Sequence, residues 1–142
     1  AVGMATTLGP SAVACVQEVF VYVCEYGNVN ALWPCGQWVT LPLPGGPAVA
    51  VVGAWCNRFL AVASTGARYV CDIASDMRLR LVYRCTWGPP PRPRARAWMA
   101  GRYAVCAGRA TDLRSGYNVR GAPAELAGKW SAATEALVHD HS

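Results

Sequence analysis

AVAVVGAWCNRFLAVASTGARYVCDIASDMRLRLVYRCT, residues 48–86, carries the strongest structural signal in this sequence. The stretch holds four short apolar runs, and turn-forming residues such as Cys56-Asn57 and Thr65-Gly66 separate them. Short runs of this kind at even spacing are typical of antiparallel strands in a β-sandwich or a small barrel. We therefore predict strands at residues 48–55, 58–64, 67–74 and 78–86.

The flanking sequence extends the same pattern. Residues 13–26 (VACVQEVFVYVCEY) are β-branched and aromatic without a helical stripe, so they predict one long strand or two short ones. Residues 97–107 predict a further strand. The 142 residues form one predicted domain of mainly β class, an antiparallel sandwich with a small barrel as the alternative. No internal repeat is evident in the sequence.

Three segments depart from the strand pattern. Residues 1–11 are small and contain Gly and Pro, which predicts a loose N-terminus. Residues 88–96 (GPPPRPRAR) predict an exposed Pro/Arg loop, because residues that precede proline favour extended backbone. Residues 123–138 predict a C-terminal helix, whose Leu126, Trp130 and Leu137 would pack across an open face of the β domain.

Arginine dominates the charge of the chain. There are 12 Arg and one Lys, and the net charge is +5. Within residues 78–85, strict alternation would place Arg78, Arg80 and Arg84 on one strand face, which could clamp an anionic ligand or could simply be a solvated face. Together with Arg92, Arg94, Arg96 and Trp98 of the loop and its flank, these residues are the candidate binding residues.

The seven cysteines indicate an oxidising compartment. Three disulfides would leave one thiol unpaired, and that thiol could join two copies covalently. We therefore expect a secreted or extracellular protein, whereas reduced cysteines would indicate a cytoplasmic one. No Cys-x-x-Cys pair occurs and both histidines lie near the C-terminus, so no metal site and no cofactor are predicted. The longest apolar runs fall far short of the ~20 residues of a membrane span.

The sequence offers little for catalysis. The four Asp and four Glu form no strongly spaced pair, and no nucleophile-elbow, phosphate-loop or zinc-protease motif occurs. We expect a non-catalytic interaction module that binds another protein, because Trp and Arg are frequent in interface hot spots. The alternatives are a binder of nucleic acid or another anionic polymer such as a sulfated glycan, and a barrel-type small-ligand carrier. Gly36-Gln37-Trp38 and Gly53-Ala54-Trp55 resemble the lipocalin Gly-x-Trp signature and bear on that last alternative.

A resemblance to a family rests on Tyr69-Val70-Cys71. The segment that contains it resembles the late-strand Tyr-x-Cys motif of immunoglobulin-superfamily domains, with Cys24 as the earlier strand cysteine and Trp38 fourteen residues beyond it. The resemblance covers residues 12–87, and it departs at Thr65, where the family usually has Asp. It implies a sandwich closed by a Cys24–Cys71 disulfide against the Trp38 indole. With the arginine-rich composition of a GC-rich gene, it also suggests a virus-encoded binding protein.

Overall fold

The computed structural model describes residues 12–91 and 97–119. This part of the chain contains eleven strands, all paired antiparallel, so the predicted mainly β class is confirmed. The predicted C-terminal helix at residues 123–138 and the N-terminus at residues 1–11 lie outside the described residues. Of the predicted loop at residues 88–96, residues 88–91 are described, and they belong to no strand.

The strands form three separate sheets. The first sheet holds β1 (Val13–Val16), β2 (Val19–Val23), β3 (Val29–Leu32) and β4 (Trp38–Leu41). The central sheet holds β5 (Ala48–Trp55), β6 (Arg58–Ala63), β7 (Ala67–Ile73) and β8 (Leu79–Trp87). The third sheet holds β9 (Ala97–Ala100), β10 (Tyr103–Cys106) and β11 (Arg109–Asp112).

Each sheet is a meander in which strands that follow one another in the chain also pair with one another. Short turns enforce this order: two residues connect β1 to β2, where Val16 pairs with Val19. Immunoglobulin sandwiches instead use Greek-key connections between two sheets. The meander order therefore does not support the resemblance to that superfamily.

The central sheet is buried on both faces. All seven residues of β7 are buried, and so are the last five of β6. One face, with Phe59, Tyr69 and Cys71, packs against the first sheet. The other face, with Leu60 and Val70, packs against the third sheet. The result is a stack of three open sheets, whereas the sequence pattern predicted a two-sheet sandwich or a closed barrel.

The three sheets repeat one structural unit. Two-residue turns follow β1, β5 and β9, and they place Phe20, Phe59 and Ala104 at equivalent positions. Phe59 faces the sheet that precedes it in the chain, and Ala104 does the same. Strand β5 lies beside both β1 and β9, so the first strands of the three sheets are neighbours. The sequence hides this repeat because the equivalent positions share apolar character and not residue identity.

Candidate binding surface

Strand β8 is an edge strand of the central sheet, and it deviates from regular pairing. Tyr69 lies opposite Arg84 and Val70 opposite Tyr83, but Cys71 lies opposite Leu81, so one extra residue of β8 is accommodated at this point. A bulge of this kind interrupts the two-residue alternation of side chains. Aromatic and arginine side chains are exposed along this irregular edge.

We call this region the β8 surface. The exposed aromatic residues Tyr83, Trp87 and Tyr117 are 39%, 51% and 70% exposed, respectively. The residues of the β8 surface are Arg58, Tyr83, Arg84, Trp87, Arg109 and Tyr117. They come from two sheets and from the loop that follows β11, and they lie on both sides of the edge. Tyr83 lies opposite Val70, on the face towards the third sheet, whereas Arg84 and Trp87 lie opposite Tyr69 and Ala67, on the other face.

Two arginines of the β8 surface lie over aromatic rings. The guanidinium carbon of Arg58 is 5.4 Å from the ring centroid of Tyr83, and that of Arg84 is 5.6 Å from the ring centroid of Trp87. Both distances are within the range of cation–π attraction. The Nη1 atom of Arg58 also donates to the carbonyl oxygens of Leu113 and Arg114, at 2.8 and 2.9 Å. These contacts hold the side chains in place before any partner arrives.

The third sheet and the loop after β11 support the end of β8. The carbonyl of Trp87 accepts hydrogen bonds from Nη1 of Arg109 at 3.4 Å and from Nδ2 of Asn118 at 3.3 Å. Gly116 lies against Tyr83: its φ is +82°, and a Cβ there would approach the tyrosine carbons to 2.8 Å. Glycine is therefore required at this position for the loop to pack on β8.

The β8 surface carries positive charge. Within residues 12–91 and 97–119, no carboxylate forms an ion pair with Arg58, Arg84 or Arg109. In contrast, Nε of Arg80 is 3.1 Å from Oδ1 of Asp72. The hydrogen bond and the charge of Asp72 raise the pKa of the Arg80 guanidinium above its ordinary value.

The bulge separates the predicted arginine row. Arg80 lies opposite Asp72, whereas Arg84 lies opposite Tyr69 on the other face of the sheet, so the expected common face for these arginines is wrong. Arg78 lies in the turn before β8, where its Nε is 3.3 Å from Oδ2 of Asp76. Only Arg84 of this predicted set belongs to the β8 surface.

The predicted loop residues are placed in part. Arg92, Arg94 and Arg96 lie outside the described residues. Trp98 lies in β9, where it is half-buried against Val105, and its Nε1 is buried. Trp98 was predicted to be a binding residue beside the loop, but its ring is part of the packing of the third sheet.

The Cys24–Cys71 disulfide that the family resemblance implied is not formed. Cys24 is a free thiol in the turn after β2, whereas Cys71 is buried within β7 opposite Phe59. Trp38, the expected core tryptophan, is 60% exposed on the outer face of the first sheet.

The broader disulfide framework is not formed either. Five described cysteines are free thiols, namely Cys15, Cys24, Cys35, Cys56 and Cys106. Burial raises the pKa of the Cys106 thiol, and the charge of Arg68 opposes that rise. The three-disulfide prediction therefore has no support among these cysteines.

A groove of about 500 Å³ lies at the end of the first and central sheets. It is formed by the turns that connect β1 to β2, β3 to β4, β5 to β6 and β7 to β8. Gln17 and Glu18 come from the first of these turns, Trp33 and Pro34 from the second, Asn57 from the third, and Ala74, Ser75 and Met77 from the fourth. Val19 of β2 and Ile73 of β7 complete the lining.

Sequence reasoning missed most of the β8 surface. The surface combines three separated parts of the chain, namely Arg58, the β8 residues Tyr83 and Trp87, and the segment that contains Arg109 and Tyr117, and no spacing rule connects these parts. The one available signal was the density of Tyr, Arg and Trp within β8 itself.

The sequence matches no protein-family model and no curated protein. Among residues 12–91 and 97–119, no group of three His, Cys, Asp or Glu side chains could hold a metal ion. The same residues include no helix with the length and apolar character needed to cross a bilayer.

Proposed function

We propose that this protein is a non-catalytic module that binds a partner protein through the β8 surface. The observation that carries the proposal is the exposed combination of Tyr83, Trp87 and Tyr117 with arginines that have no carboxylate partner among the described residues. Tyr, Trp and Arg supply most of the binding energy at protein interfaces. The charge of this surface favours a partner that presents Asp or Glu side chains.

The arrangement favours a protein partner over a nucleic acid. Nucleic-acid binders offer aromatic faces on which bases stack. Here one face of Tyr83 and one face of Trp87 already carry the guanidinium groups of Arg58 and Arg84. Ring edges and the remaining N–H groups stay available, and these suit carboxylates and apolar side chains.

Side chains rather than strand pairing would make the contact. An open edge strand can accept an added strand when its backbone is regular. The two register shifts between β7 and β8 break that regularity, and the carbonyl of Trp87 is already hydrogen-bonded. The bulged edge therefore protects the sheet from non-specific pairing and leaves the side chains as the recognition elements.

Photo-crosslinking tests the proposal. A photoreactive residue at position 117 should form adducts with a protein from the native source, whereas one at position 26 should not. Tyr26 is the matched control because it is 81% exposed in the turn between β2 and β3. Adducts from position 26 alone, or from neither position, would contradict the proposal.

The partner identified in this way then allows a test against the polyanion alternative. We expect duplex DNA and heparin at equal charge concentration to leave the affinity for the partner protein within twofold. Strong competition by either polymer, with a binding slope against log salt steeper than about −3, would instead indicate a phosphate or sulfate polymer as the natural ligand.

A further inference from the structure

The groove at the end of the first and central sheets has the dimensions of a ligand site. Its volume of about 500 Å³ lies within the range of small-molecule pockets. Trp33 and Pro34 form one wall, and Ile73, Ala74 and Met77 form the other. The site lies between the first and central sheets, whereas the supports of the β8 surface come from the third sheet.

The walls of this groove are held together by contacts across the turns. The backbone nitrogen of Ile73 donates to the carbonyl of Asn57 at 2.9 Å, and Nδ2 of Asn57 donates to the carbonyl of Ile73 at 2.9 Å. On the other wall, the backbone nitrogen of Trp33 donates to the carbonyl of Gln37 at 2.9 Å. Sγ of Cys35 is 3.9 Å from Sδ of Met77 and connects the two walls. The groove is therefore formed before a ligand enters.

The charge of the groove has the opposite sign to the net charge of the chain. The protein has a net charge of +5, yet Glu18 is the only charged residue among the ten described residues that line the groove. No arginine lines it, and the nearby Arg78 is ion-paired with Asp76. An anionic ligand would find no cation here, whereas a cation would find a carboxylate.

Trp33 supplies the second element of a cation site. Its side chain is half-buried and packs on the apolar core beneath the groove. An indole face attracts a cationic group most strongly among the aromatic side chains, and the attraction grows as the cation loses water. Carboxylate and indole together are the combination that recognises alkylammonium and quaternary ammonium groups.

The turn that carries the carboxylate has an unusual backbone. Gln17 and Glu18 have φ values of 47° and 69°, a region where glycine or asparagine is normally found in such turns. The chain nevertheless has two long polar side chains at this position, and both line the groove. Residues kept in sparsely populated conformations concentrate at functional sites.

We propose that this groove binds an organic ammonium group carried on a small apolar body. Glu18 supplies the counter-charge, and the indole of Trp33 supplies the cation–π surface. Asn57 and Ser75 offer polar atoms to the remainder of the ligand. This proposal does not depend on the function proposed for the β8 surface.

Choline and its neutral isostere 3,3-dimethylbutan-1-ol are the probes. Titration of the full chain, followed by two-dimensional NMR of the tryptophan indole N–H groups, should shift the Trp33 signal saturably with choline. The neutral alcohol should bind at least about tenfold more weakly, because it lacks the charge that both groups recognise. Equal binding of the two compounds, or no saturable shift with choline, would overturn the proposal.

Substitutions assign the two roles. Glu18→Gln should weaken choline binding about fivefold, whereas the matched control Glu25→Gln, an exposed glutamate in the turn between β2 and β3, should leave it unchanged. Trp33→Leu should weaken binding about tenfold, and Trp33→Tyr should retain most of the affinity because it keeps an aromatic face. Equal effects of the two glutamate variants would show that Glu18 is not the counter-charge, and this result would refute the assignment even if Trp33→Leu failed to fold.

Discussion

Replacement of Phe59 by alanine tests the burial of the central sheet against the first sheet. Phe59 lies in β6 with 0% exposure, and it packs towards the first sheet. Truncation of a fully buried phenylalanine costs about 3–5 kcal/mol, because apolar contact is lost and a cavity is left behind. The free energy of unfolding of a domain of this size is about 5–15 kcal/mol, so this one substitution should remove a large part of it.

The structural repeat provides a matched control for this substitution. Phe20 occupies the equivalent position in β2, but it lies on the outer face of the first sheet and is only half-buried. Its ring centroid is 5.6 Å from that of the buried Tyr22, its neighbour on the same face of β2. Phe20→Ala should therefore cost about 1–2 kcal/mol, well below the cost at Phe59.

Urea unfolding followed by far-UV circular dichroism measures both costs. With a denaturant slope of about 2 kcal/mol per molar, Phe59→Ala should lower the midpoint by about 2 M, and Phe20→Ala should lower it by less than about 1 M. Slopes equal to that of the wild type would show that the unfolded states are comparable. Equal midpoints for the two variants would refute the assignment of the Phe59 face of the central sheet as a buried face covered by the first sheet.

Three further predictions concern individual positions. Gly116→Ala should lower the melting temperature in calorimetry by several degrees and weaken partner binding, because the positive φ of Gly116 and the adjacent tyrosine ring leave no room for a Cβ. Gly101 also has a positive φ but faces open space, so Gly101→Ala should lower the melting temperature less. Equal losses of melting temperature would contradict this account. Burial raises the pKa of the Cys106 thiol, so this thiol ionises less readily in the folded state than in the unfolded state. The free energy of unfolding should therefore fall as the pH rises above about 9, and Cys106→Ala should reduce that fall in urea titrations at pH 8–10. Identical pH profiles for the wild type and the variant would argue against this account. Arg80→Met should leave partner affinity within about twofold, because its charge is already neutralised, whereas Arg84→Met should weaken affinity at least about fivefold in a titration calorimeter; the reverse order would exclude the β8 surface.

Local sequence features predicted the four strands of the central sheet well, whereas residues 97–107, predicted as one strand, form β9 and β10, and β3, β4 and β11 were not predicted. The predicted strand at residues 48–55 coincides with β5, because a β-branched run ended by Cys56-Asn57 encodes both the strand and its turn. The arrangement of the sheets could not be predicted in this way, because it depends on contacts between residues that are far apart in the chain. β6 and β7 are buried on both faces over nearly all of their residues, and a strand of that kind can pair in many ways until other sheets cover it.

The Tyr-x-Cys motif has a structural role in the core. Tyr69 and Cys71 lie on the same face of β7, and both pack towards the first sheet. Any fully buried strand places alternate residues in this relation, so Tyr-x-Cys arises here from core packing. Cys24 belongs to a turn between other strands, and no pattern in the sequence states how far it lies from β7.

The candidate binding residues were predicted only in part for a similar reason. Alternation over residues 78–85 assumed a regular strand, and the bulge in β8 moved Arg84 to the face opposite Arg80. Bulges depend on the partner strand and on the loop that packs beside it, here the one with Gly116. The sequence of β8 alone does not contain that information.

The most direct test of the proposed interface is a calorimetric titration of the Trp87→Ala variant with the partner protein that photo-crosslinking identifies. The indole of Trp87 is half-exposed and carries the guanidinium group of Arg84, so its loss should weaken binding at least about tenfold. Tyr26→Ala, at a more exposed aromatic residue in the turn between β2 and β3, should change the affinity by less than twofold. Wild-type affinity in the Trp87→Ala variant would contradict the account.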